Sequence, residues 1–180
     1  MTAEPEALHV EVVGDGPALV LAHGFSGSAR NWRPQIRALR DRYRVIVYDL
    51  RGHARSPAPH ACPDGYTRDA FVADVMAILD RESVSRGVLG GLSLGAGVML
   101  ATALAHPERV RGLVLASLPA GPDHAGGFSG RAEEMAHVLE TEGLEAAGER
   151  FVWGPGSGLD ERGAALVRQG FLEHDPLGLA

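Results

Sequence analysis

Apolar positions along this chain recur at two periods, and the period switches regularly from one to the other. "LHVEVVG" (Leu8–Gly14) alternates with period two, as a half-buried strand does, and "DGP" (Asp15–Pro17) turns it. "ALVLAHG" (Ala18–Gly24) is a continuous apolar run, the mark of a strand covered on both faces. "NWRPQIRALRDR" (Asn31–Arg42) carries Trp32, Ile36 and Leu39 at helical spacing, and "YRVIVYDL" (Tyr43–Leu50) is a second buried strand. "RGHARSPAPHACPDG" (Arg51–Gly65) reads as a loop. "RDAFVADVMAILDR" (Arg68–Arg81) is an amphipathic helix through Phe71, Val75, Ile78 and Leu79. A strand "RGVLGG" (Arg86–Gly91), a helix from Ser93 to His106 and a strand "RGLVLAS" (Arg111–Ser117) follow. Such alternation predicts an α/β fold: a mostly parallel sheet with helices on both faces.

After "LPAGPDHAGG" (Leu118–Gly127) the pattern changes. From Phe128 the chain reads as helices broken by glycine: "AEEMAHVLETEG", "LEAAGERFVWG" and "DERGAALVRQGFLEHD". No further strand is visible before Ala180, and no internal repeat. The boundary divides residues 1–122, the sheet-bearing part, from residues 123–180, the helical part.

Composition narrows the function classes. The 180 residues suffice for one domain with its own core. Net charge is -6, and all 17 basic residues are arginine, with no basic stripe, which argues against a nucleic-acid partner. The absence of lysine and the abundance of alanine, glycine and arginine fit a GC-rich bacterial source. One cysteine, Cys62, excludes an internal disulfide. The N-terminus lacks an apolar signal core, and no run approaches the roughly 18 apolar residues of a membrane span. The expectation is a soluble, cytoplasmic protein. His60 and Cys62 share a loop without a second ligand pair, so no metal site and no cofactor is expected.

The informative stretch is "RGVLGGLSLGAGVML" (Arg86–Leu100). "GLSLG" fits G-x-S-x-G through Gly91, Ser93 and Gly95, and it joins a buried strand to a helix, as that motif requires. A serine on so tight a turn is forced into an unfavourable backbone region, and its neighbours two before and two after must be tiny. Gly91 and Gly95 meet that need, and Gly97 is expected to let the helix lie close to the sheet. The Leu94 amide at the helix N-terminus is a donor for a developing oxyanion. Taken alone the motif leaves open a plain glycine-rich turn with an N-cap serine. A phosphate loop fits less well, because no G-K-[ST] and no G-x-G-x-x-G follows the strand.

Two more motifs stand in register with it. "LAHGFSGSARNW" places His23, Gly24 and Phe25 after one buried strand, and "DLRGHARS" places Asp49, Arg51, Gly52 and Ser56 after the next. From about Leu8 to Pro119 the chain resembles the α/β-hydrolase superfamily, nearest its branch of small esterases, lactonases, epoxide hydrolases and cofactor-free haloperoxidases. The resemblance implies a serine hydrolase acting on an ester, lactone or similar acyl bond of a small molecule, with Ser93 as nucleophile. It implies an oxyanion hole from the Phe25 and Leu94 amides, with His23 and Gly24 supporting the loop and His23 not acting as base. Asp49 and Arg51 are implied to brace the loop after the strand Tyr43–Leu50. Ala54 stands where the family pattern has glycine, so that turn is expected to be slightly altered. A haloperoxidase or perhydrolase shares the same machinery. An epoxide hydrolase or dehalogenase is disfavoured, since those relatives carry aspartate where this chain has Ser93. The helices from Phe128 resemble the start of a lid, in which Phe128, Met135, Phe151 and Trp153 either line a pocket or, as helical spacing favours, form core.

The serine needs a base, and the base an orienting acid. The superfamily places both after two further strands that this sequence does not show. Asp123 with His124, and His174 with Asp175, are weak substitutes; His106 before Pro107 reads as a helix end. The resemblance therefore covers the N-terminal two-thirds of a lid-bearing hydrolase, as if C-terminally truncated. Its alternative is an inactive hydrolase-like fragment or binding module. In either case the last strand is expected to be an exposed edge, inviting self-association.

Overall fold

The computed structural model of the chain describes residues 8–59, 63–118 and 125–180. Five strands form one sheet in the order β1-β3-β2-β4-β5: β1 (Val10–Val13), β2 (Ala18–Ala22), β3 (Arg44–Tyr48), β4 (Gly87–Leu92) and β5 (Val110–Ala116). β1 runs antiparallel to β3; every other pairing is parallel. The expected α/β architecture is therefore present, with one antiparallel strand at an edge.

The apolar runs are continuous because the central strands bury both faces. On one face Val20, Ala22, Ile46, Tyr48 and Leu89 pack against α2 (Arg68–Arg81) and α3 (Leu94–Ala105). On the other, Leu19, Leu21, Val45 and Val47 pack against Ala29, Trp32 and α1 (Arg33–Leu39). Val20, Val45, Ile46 and Val47 are wholly buried, each worth roughly 2 kcal/mol in hydrophobic transfer. The helix predicted over Asn31–Arg42 is shorter. It is a 3-10 turn (Ala29–Trp32) leading into α1, because Pro34 favours the first turn of a new helix over the middle of an old one. α2 has the predicted bounds and is capped by Thr67, whose hydroxyl accepts from the Ala70 amide at 3.3 Å.

The α1 face is covered only in part. Leu92 on β4 and Val114 on β5 lie on that side beyond the reach of α1, and Val114 is 58% exposed. β5 pairs only with β4, so its outer edge is unpaired among the described residues, as expected.

The helical part gathers around a cluster of its own. α4 (Ala125–Thr141), α5 (Gly143–Gly148), α6 (Glu161–Phe171) and α7 (Pro176–Leu179) enclose Val138, Leu139, Ala147, Phe171 and Leu179. Met135, Phe151 and Trp153 pack against that cluster as core, with Trp153 edge-on to Phe171 at 5.5 Å. His60, Cys62, Asp123 and His124 lie outside the described residues, as does the side chain of Phe128.

Ala54 takes φ +45°, the left-handed region that glycine favours, so alanine bears a strain of about 1 kcal/mol there. One expectation about a small residue needs correction. A Cβ on Gly97 would meet nothing within 4 Å, so no close approach of helix and sheet requires that glycine.

Candidate active site

β4 ends at Leu92 and α3 begins at Leu94, leaving one residue for the whole turn. Ser93 takes φ 51° and ψ -113°, a region an L-residue enters only under constraint. The constraint is visible on both sides. The Ser93 amide donates to the Ala116 carbonyl at 2.9 Å, and the Gly97 amide donates to the Ser93 carbonyl at 3.1 Å. A Cβ on Gly91 would stand 2.5 Å from the Ala96 nitrogen, and one on Gly95 would stand 2.5 Å from the His23 carbonyl oxygen, with that of Ala22 nearer still. Only hydrogen fits at either place. The start of α3 thus sits directly on the end of β2, and the two motifs meet. A Cβ on Gly24 would lie 3.4 Å from that of Ser93.

His23 is fully buried and wholly engaged. Its Nδ1–H donates to the Gly24 carbonyl at 2.8 Å, and its Nε2 accepts from the Leu50 amide at 3.0 Å. That pattern is the neutral ring. Burial pushes its pKa down to about 4, against the pull of the Gly24 carbonyl and Asp49. A ring with both nitrogens committed has none to offer a serine. The Gly24 carbonyl also accepts from the Gly27 amide at 3.0 Å, closing a tight turn over Phe25 and Ser26. Because the peptide is planar and trans, pinning the Gly24 oxygen from two sides fixes where the Phe25 N–H points: away from it. No acceptor takes that amide among the described residues. The Leu94 amide, first in α3, has no intrahelical acceptor either.

The loop after β3 is braced by buried charge. Asp49 accepts from the Ala29 amide at 2.6 Å and from the Arg55 Nε at 2.8 Å. Burial alone raises its pKa, but the Arg55 and Ala29 bonds outweigh that and hold it below the ordinary carboxylate value. Arg51 makes a two-point pair with Asp74 of α2, at 2.7 and 2.6 Å, and reaches the Gly65 carbonyl. Sequence reasoning found Asp49 and Arg51 but missed Arg55, although a buried carboxylate demands a cation nearby.

It also missed His53. This ring is 3% exposed and sits 5.2 Å from His23, 5.7 Å from Phe25 and 5.5 Å from His174. Its Nδ1 donates to the Arg51 carbonyl at 3.0 Å, and its Nε2 has no partner among the described residues. Burial drives its pKa to about 3, helped by repulsion from His23.

His174 is brought close to the Gly24–Arg30 loop and does not engage Ser93. Its Nε2 lies 2.9 Å from the Gly27 carbonyl, and its Nδ1 faces the carbonyls of Gly170 and Phe171 at 3.1 and 3.0 Å. Asp175 caps α7 through the Gly178 amide at 2.9 Å, so no Asp175–His174 relay forms. His106 pairs with Glu108 at the far end of α3. Among the described residues, no side chain hydrogen-bonds the Ser93 hydroxyl, and no group of His, Cys, Asp and Glu is placed to hold a metal. No described helix is long and apolar enough to cross a membrane.

Comparisons with known proteins bear on the family and the fold. A putative carbamate hydrolase RutD from Variovorax paradoxus is 44% identical over 119 residues, covering 64% of this chain and 44% of that protein. Epoxide hydrolase 4 from Mus musculus is 36% identical over 103 residues, covering 57% of this chain and 28% of that one. Among solved structures, the enol-lactonase from Burkholderia xenovorans superposes with a TM-score of 0.80 at 28% identity, over 96% of this chain and 66% of its own. A thermophilic esterase from Thermogutta terrifontis gives 0.81 at 29%, over 96% and 64%. The chain spans less than half the length of those two curated relatives and less than two-thirds of those two structures. A family model for the alpha/beta hydrolase fold matches residues 17–135, more than half of the chain, and with the sheet order and the Ser93 turn already described, the chain belongs to the alpha/beta hydrolase family.

Proposed function

We propose that this chain carries the nucleophile and oxyanion hole of a serine hydrolase that cleaves an ester, lactone or similar acyl bond in a small molecule. The observation that carries the reading is Ser93 itself, held at φ 51° on a one-residue turn between Gly91 and Gly95. Ser93 Oγ attacks the acyl carbon while its proton passes to a base. The Phe25 and Leu94 amides hold the oxyanion, the leaving group departs with a proton, and water then releases the acid from the acyl-enzyme. The carbamate hydrolase name of the Variovorax relative extends the acyl class to carbamates. The likeness to an epoxide hydrolase is read as shared scaffold, because this chain has serine at the nucleophile position. Residues 123–180 act as a helical lid over the oxyanion loop, and the protein works in the cytoplasm.

A second reading is favoured by one observation: no described side chain activates Ser93. In that reading the chain keeps the scaffold without the chemistry. A serine-directed fluorophosphonate separates them. An adduct found by intact mass spectrometry on the wild-type chain and lost in Ser93→Ala supports the hydrolase. A wild-type chain that stays unmodified shows its serine to be inert.

The β5 edge supports a further part of the reading, self-association. It is seven residues long and holds no proline, its one charged residue is Arg111, and the half-exposed Leu113 and Val114 lie on its opposite faces. Val114→Lys adds a second charge to that strand, on the face turned towards α1. Sedimentation velocity is expected to show concentration-dependent association of the wild type and about a tenfold weaker association of the variant. A wild type that stays monomeric at 100-fold the starting concentration would sink this idea.

A further inference from the structure

His174 lies 147 residues along the chain from Gly27, yet its Nε2 faces that carbonyl at 2.9 Å. It is 6% exposed, and its ring packs between His53 and Phe171. One residue earlier, Glu173 pairs with Arg30, just beyond the same turn, both carboxylate oxygens facing the one Nη1. The segment that follows α6 therefore grips the Gly24–Arg30 loop at two places, one buried and one exposed. A carbonyl oxygen only accepts, so the Gly27 contact is a hydrogen bond when Nε2 carries a proton; because Nδ1 also faces the Gly170 and Phe171 carbonyls, the ring hydrogen-bonds at both ends only when both nitrogens are protonated.

We infer that His174 is a positioning residue for the oxyanion loop: with the Arg30–Glu173 pair it clamps the helical segment onto Gly27 and so fixes the direction of the Phe25 N–H. The transmission is short and entirely covalent or hydrogen-bonded. His174 holds the Gly27 carbonyl, and the Gly27 amide, 3.0 Å from the Gly24 carbonyl, closes the turn. The Gly24 oxygen fixes the Gly24–Phe25 peptide plane. Ser26 sits inside this turn at φ 57°, a strained state that relaxes unless the turn is held from outside. Without the clamp the loop loses its outer tether, while His23 still holds the inner one. The second oxyanion donor is thus set only while the helical segment is docked, which couples closure over the site to competence of the site. This inference deepens the hydrolase reading and rests on it for the role of Phe25.

The test is hydrogen–deuterium exchange of the amides from Phe25 to Ala29 in the whole chain, at one pH, in the wild type, His174→Leu and His174→Gln. Leucine fills the space without a donor; glutamine restores an N–H near the position of Nε2. The clamp predicts about tenfold faster exchange at Gly27 in the leucine variant and near wild-type exchange in the glutamine variant. Equal exchange in all three, or equal loss in both variants, overturns it, because packing alone would then explain the ring. Glu173→Gln, at the exposed end, is expected to speed exchange about twofold to threefold, and no change there overturns the clamp even should His174→Leu fail to fold. None of these readouts needs a reactive Ser93, so an inert serine would defeat the hydrolase reading and leave the clamp standing. Where the fluorophosphonate does react, the leucine variant is expected to slow the reaction step without changing reagent binding.

Discussion

Gly95→Ala is expected to cost about 3 kcal/mol or more, while Gly97→Ala, two residues along the same helix, is expected to gain about 1 kcal/mol. Both add one methyl group, and the sign is set by what that methyl meets. At Gly95 it meets the carbonyls of Ala22 and His23, which belong to the buried end of β2 and the loop that follows it. Backbone cannot swing aside as a side-chain end can, so α3 must lift from the sheet or the turn must open. Either movement breaks the bond from the Ser93 amide to Ala116 and displaces Gly24 from Ser93. At Gly97 the methyl meets open space, and alanine replaces the poorest common helix former in the middle of a helix. Urea unfolding of the two variants against wild type reads both effects from the midpoint shift at unchanged slope. A Gly95→Ala chain as stable as wild type would mean that the elbow is looser than its geometry, and the strained Ser93 would lose its structural cause.

That contrast marks what the sequence could and could not reveal. The sheet, its parallel sense and its buried strands were legible, because continuous apolar runs such as "ALVLAHG" and "YRVIVYDL" have few other uses. Ser93 was legible for the same kind of reason: the G-x-S-x-G spacing encodes a local steric need. Gly97 was misread because a glycine carries no mark of whether its missing methyl would touch anything. The left-handed backbone of Ala54 was not legible, since alanine carries no mark of such a turn. Long-range partners were invisible. Nothing in "FLEHD" indicates that His174 reaches Gly27, and nothing in "RGHARS" separates a buried His53 from an exposed loop histidine. Such contacts depend on where the helical segment docks, and that is set by the cluster around Phe171 and Leu139, not by any local pattern.

The buried histidines make a strong prediction about acid. His23 titrates at about 4 and His53 at about 3 in the folded chain, against about 6.5 when exposed. Both folded values are lowered, so below about pH 6.5 the unfolded chain binds protons that the folded chain refuses. The contribution of each ring is fully present above the unfolded value and is lost as pH falls towards the folded one. At pH 5 the loss is about 2 kcal/mol for each ring, about 4 kcal/mol together, a large fraction of the stability of an ordinary domain. Asp49 acts in a different window. Its folded pKa is depressed, so its contribution holds until the pH falls below the ordinary carboxylate range, and the slope between pH 6.5 and 5 belongs to the histidines. The measurement is urea stability at pH 7 and pH 5 for wild type and His53→Phe. Phenylalanine fits a site edged by Phe25 and His174 and removes the unpartnered Nε2, at the cost of one bond to Arg51. The variant is expected to lose about 2 kcal/mol less than wild type on acidification, because one of the two proton-refusing rings is gone. An equal loss in both proteins would place the acid sensitivity elsewhere and would mean that His53 opens to solvent before the chain unfolds.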